Sequence, residues 1–280
     1  MKALTFLARR FVAGETIDEA LKQVRRLNGD GIKVTLDNLG EDCEAPEQAN
    51  AAADEYVRML EKIAAAKLDC NVSCKLTAFG LNLDRSLARD NLGRVADKAK
   101  QLGNFVRIDM EGSPYTQLTL DLFYELFPQY PNMGVVIQAY LRRSEADVAE
   151  LVRRQVRVRL CKGAYREPPT IAFPQKSDVN ANYDKLAKML LKAPIPAFAT
   201  HDDERIEHAV AAAKAAGVPK DKYELQMLYG LRSKKWRELA KAGHAVRVYM
   251  PYGTHWFPYY SRRIRERKEN LLFVVKNLFN

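Results

Sequence analysis

Apolar alternation recurs eight times along this chain, and helical spacing fills each gap between the repeats. Extended segments fall at 32–37, 71–77, 105–111, 135–140, 157–161, 197–201, 223–228 and 245–250. Helix-spaced apolar residues fall at 47–67, 87–102, 116–127, 145–154, 183–192, 203–216 and 234–242, with a last such segment at 262–278. A helix between successive strands is the crossover that parallel pairing requires, since parallel neighbours cannot be joined by a tight turn. No stretch rich in Pro, Gly or Ser interrupts the run. The pattern therefore predicts an α/β fold, one (βα)8 barrel over residues 1–280. A doubly wound open sheet shares the alternation but lacks any GxGxxG. Ahead of the first strand, Thr16-Ile17-Asp18-Glu19 is a capping box that opens a short helix to about Leu27. Residues 1–30 read as a helical lead-in rather than a signal peptide, because the apolar run is short and no small-residue cleavage site follows.

The alternation also divides each strand into two rows, because strand side chains change face at every residue. One row is apolar: Val34 and Leu36, Val72 and Cys74, Val106 and Ile108, Val158 and Leu160, Val246 and Val248. The other is polar: Thr35 and Asp37, Ser73 and Lys75, Arg107, Asp109 and Glu111, Gln138 and Tyr140, Arg157 and Arg159, Glu224 and Gln226, Arg247 and Tyr249. In a barrel ringed by helices the apolar row packs outward and the polar row lines the interior. Charges of both signs buried there must pair. Such a lining implies a large polar ligand at the barrel mouth. An antiparallel sheet with one wet face would alternate in the same way, but the long helical segments between strands argue against it.

Barrel chemistry sits at the C-terminal ends of strands. Those ends offer Lys75, Asp109 and Glu111, Gln138, Lys162, His201, Tyr229 and Tyr249. Asp109 and Glu111 face a ring of cations, so pairing is expected before metal binding. The other histidines are scattered, which argues against a metal at His201. Lys75 and Lys162 are each candidates for a Schiff base, although carboxylate neighbours would keep a lysine protonated and electrostatic in role. Four cysteines without a CxxC indicate neither a disulfide framework nor a zinc site, as in a reducing compartment. The net charge of +10 is concentrated: residues 231–268 hold eleven Lys/Arg and two acids. Within that stretch Ser261 can cap a helix opening on Arg262–Arg263, an anion site unless the helix is merely a solvated basic one. Such a patch suits an anionic substrate, a cofactor phosphate, an acidic membrane surface or nucleic acid.

The segments LTAFG with Lys75 before it, VRIDMEG, VIQAYLRRS, RLCKGAYREP, FATHDD, QMLYG and VYMPYG…YYSRRIRERKEN resemble the proline dehydrogenase family. They occur in the family's order and cover nearly the whole chain. The resemblance implies a distorted (βα)8 barrel with non-covalent FAD. It implies oxidation of L-proline to Δ1-pyrroline-5-carboxylate, the first step of proline catabolism, with electrons passed to a membrane quinone. No segment resembles the aldehyde-dehydrogenase domain of the bifunctional bacterial members, so the monofunctional type is expected.

Motif by motif, the resemblance implies that Lys75, Arg262 and Arg263 bind the proline carboxylate and that Asp109 lies near the substrate ring. It implies that Arg159 meets flavin N5 and that Lys162, Gly163 and Ala164 run along the cofactor. Met110, Gln138, Thr200 and His201 are the implied further FAD contacts. Leu228, Tyr249 and Tyr259 are the implied pocket walls, and Glu266 the acid that orders the arginine pair, with Glu111 in support. The loop between Gly253 and Arg262 is shorter than in bifunctional members, which bears on Tyr259. Expected partners are proline, a quinone and an anionic membrane surface, with no nucleic acid and no obligate protein partner. The expected location is the cytoplasm, peripheral on the inner face of the membrane. Two other classes remain open on the residues alone: a lysine-dependent aldolase or other flavin-free barrel enzyme, and a basic nucleic-acid-binding protein.

Overall fold

A computed structural model describes residues 11–254. Eight parallel strands close into a barrel in sequence order, as the alternation predicts. They are β1 (Lys33–Asn38), β2 (Cys70–Cys74), β3 (Val106–Ile108), β4 (Met133–Gln138), β5 (Arg157–Cys161), β6 (Ala197–Ala199), β7 (Glu224–Leu228) and β8 (Ala245–Tyr252). Helix α1 (Ile17–Gly29) precedes them. Between them run α2 (Pro46–Ala65), α3 (Arg85–Gln101), α4 (Ser113–Leu126), α5 (Ser144–Arg153), α6 (Lys176–Leu190), α7 (Asp203–Ala215) and α8 (Ser233–Lys241). Closure is made by β1 against β8, with Val34 opposite Val248 and Leu36 opposite Met250.

Helix α1 starts where the capping box sets it: the Thr16 hydroxyl accepts from the Glu19 N–H, and the Glu19 carboxylate accepts from the Thr16 N–H. Residues 11–16 are not helical, a correction to the expected lead-in. Gly14 takes a φ of +140° there, outside helical backbone. The expected helix at 262–278 lies outside the described residues.

The two rows fall as read. Val34, Leu36, Val72, Cys74, Val106, Ile108, Val135, Val158, Leu160, Val246 and Val248 are all buried, in one continuous core with the inner faces of the helices. Each branched side chain so buried is worth about 1.5–3 kcal/mol, and a one-residue slip in register would carry the set into the polar interior. Inside the barrel, β6 contributes only Ala197 and Ala199. These small residues leave room for the long side chain of Arg159, which is in register with Ala197.

Gly134 faces the interior where a methyl group would not fit. A Cβ there would lie 2.3 Å from the Arg157 carbonyl oxygen and 2.7 Å from an Arg107 guanidinium nitrogen. Gly134→Ala is expected to cost about 1–3 kcal/mol, read as a lowered urea midpoint, and an unchanged midpoint would show that this contact is not tight.

Candidate active site

The barrel interior is a continuous polar network. Toward the N-terminal ends of the strands, Arg247 meets Glu224 through two bonds of 2.9 and 2.8 Å. Burial alone would raise the Glu224 carboxyl, but Arg247 more than reverses this and holds it down at about 2. Gln226 donates to Glu224 at 2.7 Å and accepts from the Arg159 Nε at 2.6 Å. Arg159 then reaches Asp109 at 2.8 Å and the Ser73 hydroxyl at 3.2 Å. Its Nη2 lies a long 3.5 Å from the Thr35 hydroxyl. That nitrogen keeps capacity for a further acceptor.

Asp109 is the hub. It accepts from the Ser73 hydroxyl at 2.7 Å, from Arg159 and from the Tyr249 hydroxyl at 2.7 Å. Burial first, then the Asp109 and Asp37 charges, push the Tyr249 phenol far above its ordinary range, so it stays a donor. Arg159 also lies 5.2 Å from the centre of the Tyr249 ring, within cation–π range.

Lys75 lies 3.1 Å from Asp37 at the end of β1. Burial alone would lower the lysine pKa, but the charges of Asp37, Asp109 and Glu41 more than offset this, so it is raised and the ammonium persists. Asp37 in turn lies 3.2 Å from the Tyr56 hydroxyl, which reaches in from α2 and sits 2.6 Å from the Ser73 carbonyl. Lys162 places its ammonium 2.6 Å from both Asp202 and Asn180. Both lysines are tied to carboxylates, whereas a Schiff-base catalyst needs an unencumbered amine.

Two expectations need correction. Among the described residues Glu111 pairs with no cation: it accepts from the Thr77 N–H at 3.1 Å and the Thr77 hydroxyl at 2.5 Å. β3 ends at Ile108, so the chain has left the ladder before Glu111 and its side chain no longer follows the row. Burial lifts its carboxyl to about 7. Arg107 is the second. It is buried and donates to the carbonyls of Val135 and Arg157, so carbonyl dipoles satisfy these donors. Burial and then the charges of Arg159 and Arg157 push its pKa down.

At the mouth, hydrogen bonds join neighbouring strand ends into a closed ring. The Thr77 hydroxyl accepts from the Asp42 N–H and donates to Glu111, while Gln138 donates to the Glu111 carbonyl at 2.9 Å. The Tyr140 N–H donates to the Lys162 carbonyl, and Lys162 pairs with Asp202. The Leu228 N–H donates to His201 Nε2 at 3.0 Å, so that nitrogen carries no proton, and Arg232 holds the His201 carbonyl at 2.6 Å. Backbone bonds from Tyr229 to Tyr249 and from Leu39 to Tyr252 complete the ring. Gly163, at φ +115°, packs on Tyr140 so closely that a Cβ would lie 2.1 Å from the ring.

The strands thus bring Lys75, Asp109, Arg159 and Tyr249 together on one interior row. Met110 and Thr200 are buried, Gly163 and His201 partly so, and Ala164 is exposed. Arg262, Arg263, Tyr259 and Glu266 lie outside the described residues. Ser73, Asp37 and Gln226 share the network without having been singled out, although their place in the polar row was the available signal. Within the described part of the basic stretch, Arg232 and Lys235 face Asp203, and Arg237 faces Asp30. No helix among the described residues is long and apolar enough to cross a membrane.

The proline dehydrogenase family matches residues 20–276 of the chain. Proline dehydrogenase 1 of Bacillus subtilis subsp. natto is 41% identical over 272 residues, covering 97% of this chain and 90% of that protein. The proline dehydrogenase of Deinococcus radiodurans is also 41% identical, over 278 residues with the same coverages. Among solved structures, proline utilization A from Bdellovibrio bacteriovorus, inactivated by N-propargylglycine, superposes with a TM-score of 0.89 at 29% identity. That match covers 97% of this chain and 34% of the other, so the chain spans about a third of that longer protein. With the closed barrel and an identity of 41% over nearly the full length of its relatives, the chain is an oxidoreductase and belongs to the proline dehydrogenase family.

Proposed function

We propose that the protein oxidises L-proline to Δ1-pyrroline-5-carboxylate using non-covalently bound FAD and delivers the electrons to a membrane quinone. The observation that carries this reading is the convergence of Lys75, Asp109, Arg159 and Tyr249 at the strand ends of a family barrel. The residues present fit a flavin. Arg159 offers a buried cation with one underused nitrogen beside the small residues of β6. The Thr200 hydroxyl accepts from the Asp202 N–H and keeps its own proton to donate. Lys162 spends its ammonium on Asp202 and Asn180, so its part toward the cofactor falls to the backbone of the Lys162–Ala164 segment.

Bound FAD would supply the two-electron oxidising power for loss of hydride from the carbon beside the proline nitrogen. The chain's own residues bind and orient. Lys75, kept charged by Asp37, holds the substrate carboxylate together with Arg262 and Arg263, and a clamped carboxylate fixes the ring for transfer. Tyr249, Leu228 and Tyr259 wall the pocket against water. Arg159 supplies fixed positive charge where negative charge develops. Asp109 accepts from Ser73, Arg159 and Tyr249. It therefore orients Arg159 and Tyr249, and its Oδ2 accepts from Tyr249. The aldolase reading loses support because both lysines are paired with carboxylates. The nucleic-acid reading loses support because the basic stretch is partly paired internally, which also weakens the case for an anionic membrane surface.

The purified protein should be yellow, and its flavin band should bleach anaerobically with L-proline but not D-proline. Added quinone in anionic vesicles should restore the colour. Protein that stays colourless after incubation with FAD, or bleaches with neither isomer, would overturn the reading.

A further inference from the structure

The segment after β5, residues 162–175, runs beside the residues that follow β4 before α6 begins. Its far half is anchored by backbone: Phe173 N–H to the Tyr140 carbonyl at 2.8 Å, and a bridge between Leu141 and Ala172. Arg142 adds a bond to the Pro169 carbonyl at 2.9 Å and stacks over Phe173 at 4.8 Å. Its near half carries Gly163 and Ala164. Between the halves stands Glu167, to which neither the sequence motifs nor the proposed chemistry gives a role.

Glu167 uses both carboxylate oxygens on one residue. Oε1 accepts from the Ser113 N–H at 2.7 Å and Oε2 from the Ser113 hydroxyl at 2.5 Å. Ser113 is the first residue of α4, and the helix's own cap position is Gly112, which has no side chain to offer. A carboxylate at a helix N-terminus satisfies an orphan N–H and meets the positive end of the helix dipole. Glu167 therefore supplies from 54 residues away the cap that α4 lacks locally.

The consequence is geometric. The segment leading into α4 is Asp109–Gly112, and the segment leading into Glu167 is Lys162–Arg166. A single side chain thus straps the turn bearing Asp109 to the turn bearing Gly163, across β4. We infer that Glu167 is a positioning residue for the cofactor: the strap holds the 162–166 turn in the shape that receives FAD. This rests on the FAD reading above. Glu167 acts on cofactor affinity, not on the hydride step, because it touches neither Asp109 nor Arg159.

The test uses the full chain, stripped of flavin and titrated with FAD, with limited trypsin digestion at Arg166 as a cofactor-independent readout. Glu167→Ala should raise the FAD dissociation constant about tenfold, as expected for losing a charge-assisted cap. It should also speed cleavage at Arg166, while kcat at saturating FAD stays within about threefold. Glu167→Gln, which can still accept from the N–H, should recover most of the affinity. If Glu167→Ala does not fold, Ser113→Ala carries the test, with an expected loss of about threefold. Unchanged affinity in the folded variant overturns the inference. Faster cleavage with unchanged affinity does the same, leaving only a loop staple. Wild-type chain that takes up no FAD overturns the FAD reading as well, and is distinguished from failure of the strap by being seen without any substitution.

Discussion

Arg247→Met should destabilise the fold by about 3–5 kcal/mol, because it strands Glu224 in the barrel without its main counter-charge. Both side chains are nearly inaccessible, at 6% and 4% exposure, so water cannot take over the role. The double variant Arg247→Met/Glu224→Gln should recover at least half of the loss, since it removes the charge that was left unpaired. The pH dependence separates this cause from simple loss of packing. In the wild type, Glu224 is depressed from an ordinary 4.5 to about 2. Its contribution is therefore present above about 4.5 and is lost as pH falls toward 2. In Arg247→Met, burial instead favours the protonated acid, so the deficit should be greatest near neutrality and shrink as pH falls. Urea midpoints for the three proteins between neutral pH and pH 4 test this. A wild-type midpoint for Arg247→Met, or a pH-independent deficit, would sink it.

Lys75→Met should reduce kcat/KM for proline roughly ten- to a hundredfold, the worth of one charge-assisted hydrogen bond of about 1.5–3 kcal/mol. The substitution also leaves Asp37 without its cation, and burial already raises that carboxyl. Asp37→Asn controls for this: it keeps the lysine charge and should lose less activity than Lys75→Met. If the lysine serves ground and transition states alike, KM carries the effect; if it aligns the ring, kcat falls too. Borohydride should trap no adduct with keto acids in the wild type, because the ammonium persists. Unchanged kcat/KM in Lys75→Met would remove the residue from the substrate site.

Much of this was legible before the structure because a buried strand writes its two faces into the sequence. Val34, Val72 and Val248 could pack outward only if Thr35, Ser73 and Arg247 turned in, and they do. The pairing partners were less legible. That Arg247 chooses Glu224, and Arg159 chooses Asp109, depends on register around the barrel, which no single strand encodes. Legibility failed where the backbone left the ladder. Glu111 keeps the spacing of Asp109, yet the chain has turned and its carboxylate goes to Thr77. Helix α6 begins at Lys176, earlier than 183, because its first turns carry few apolar residues to mark a face. Glu167 stands inside the RLCKGAYREP segment, yet its role there was not legible, because a cap supplied from a distant loop leaves no local pattern near Ser113.

Closure of the barrel through β8 has a consequence for how the chain is made. The last strand is also the neighbour of the first, and Arg247 reaches across that seam to the Val34 carbonyl at 2.7 Å. During vectorial synthesis, β1 through β7 emerge before the piece that joins them. Until then the nascent sheet has two open edges, at β1 and β7, each with unpaired N–H and C=O groups able to recruit another chain. Glu224 lacks its main counter-ion over the same interval. An unclosed sheet with an ion waiting for its partner cannot settle into a dry interior, so commitment to the native state is deferred until residue 252 has left the ribosome.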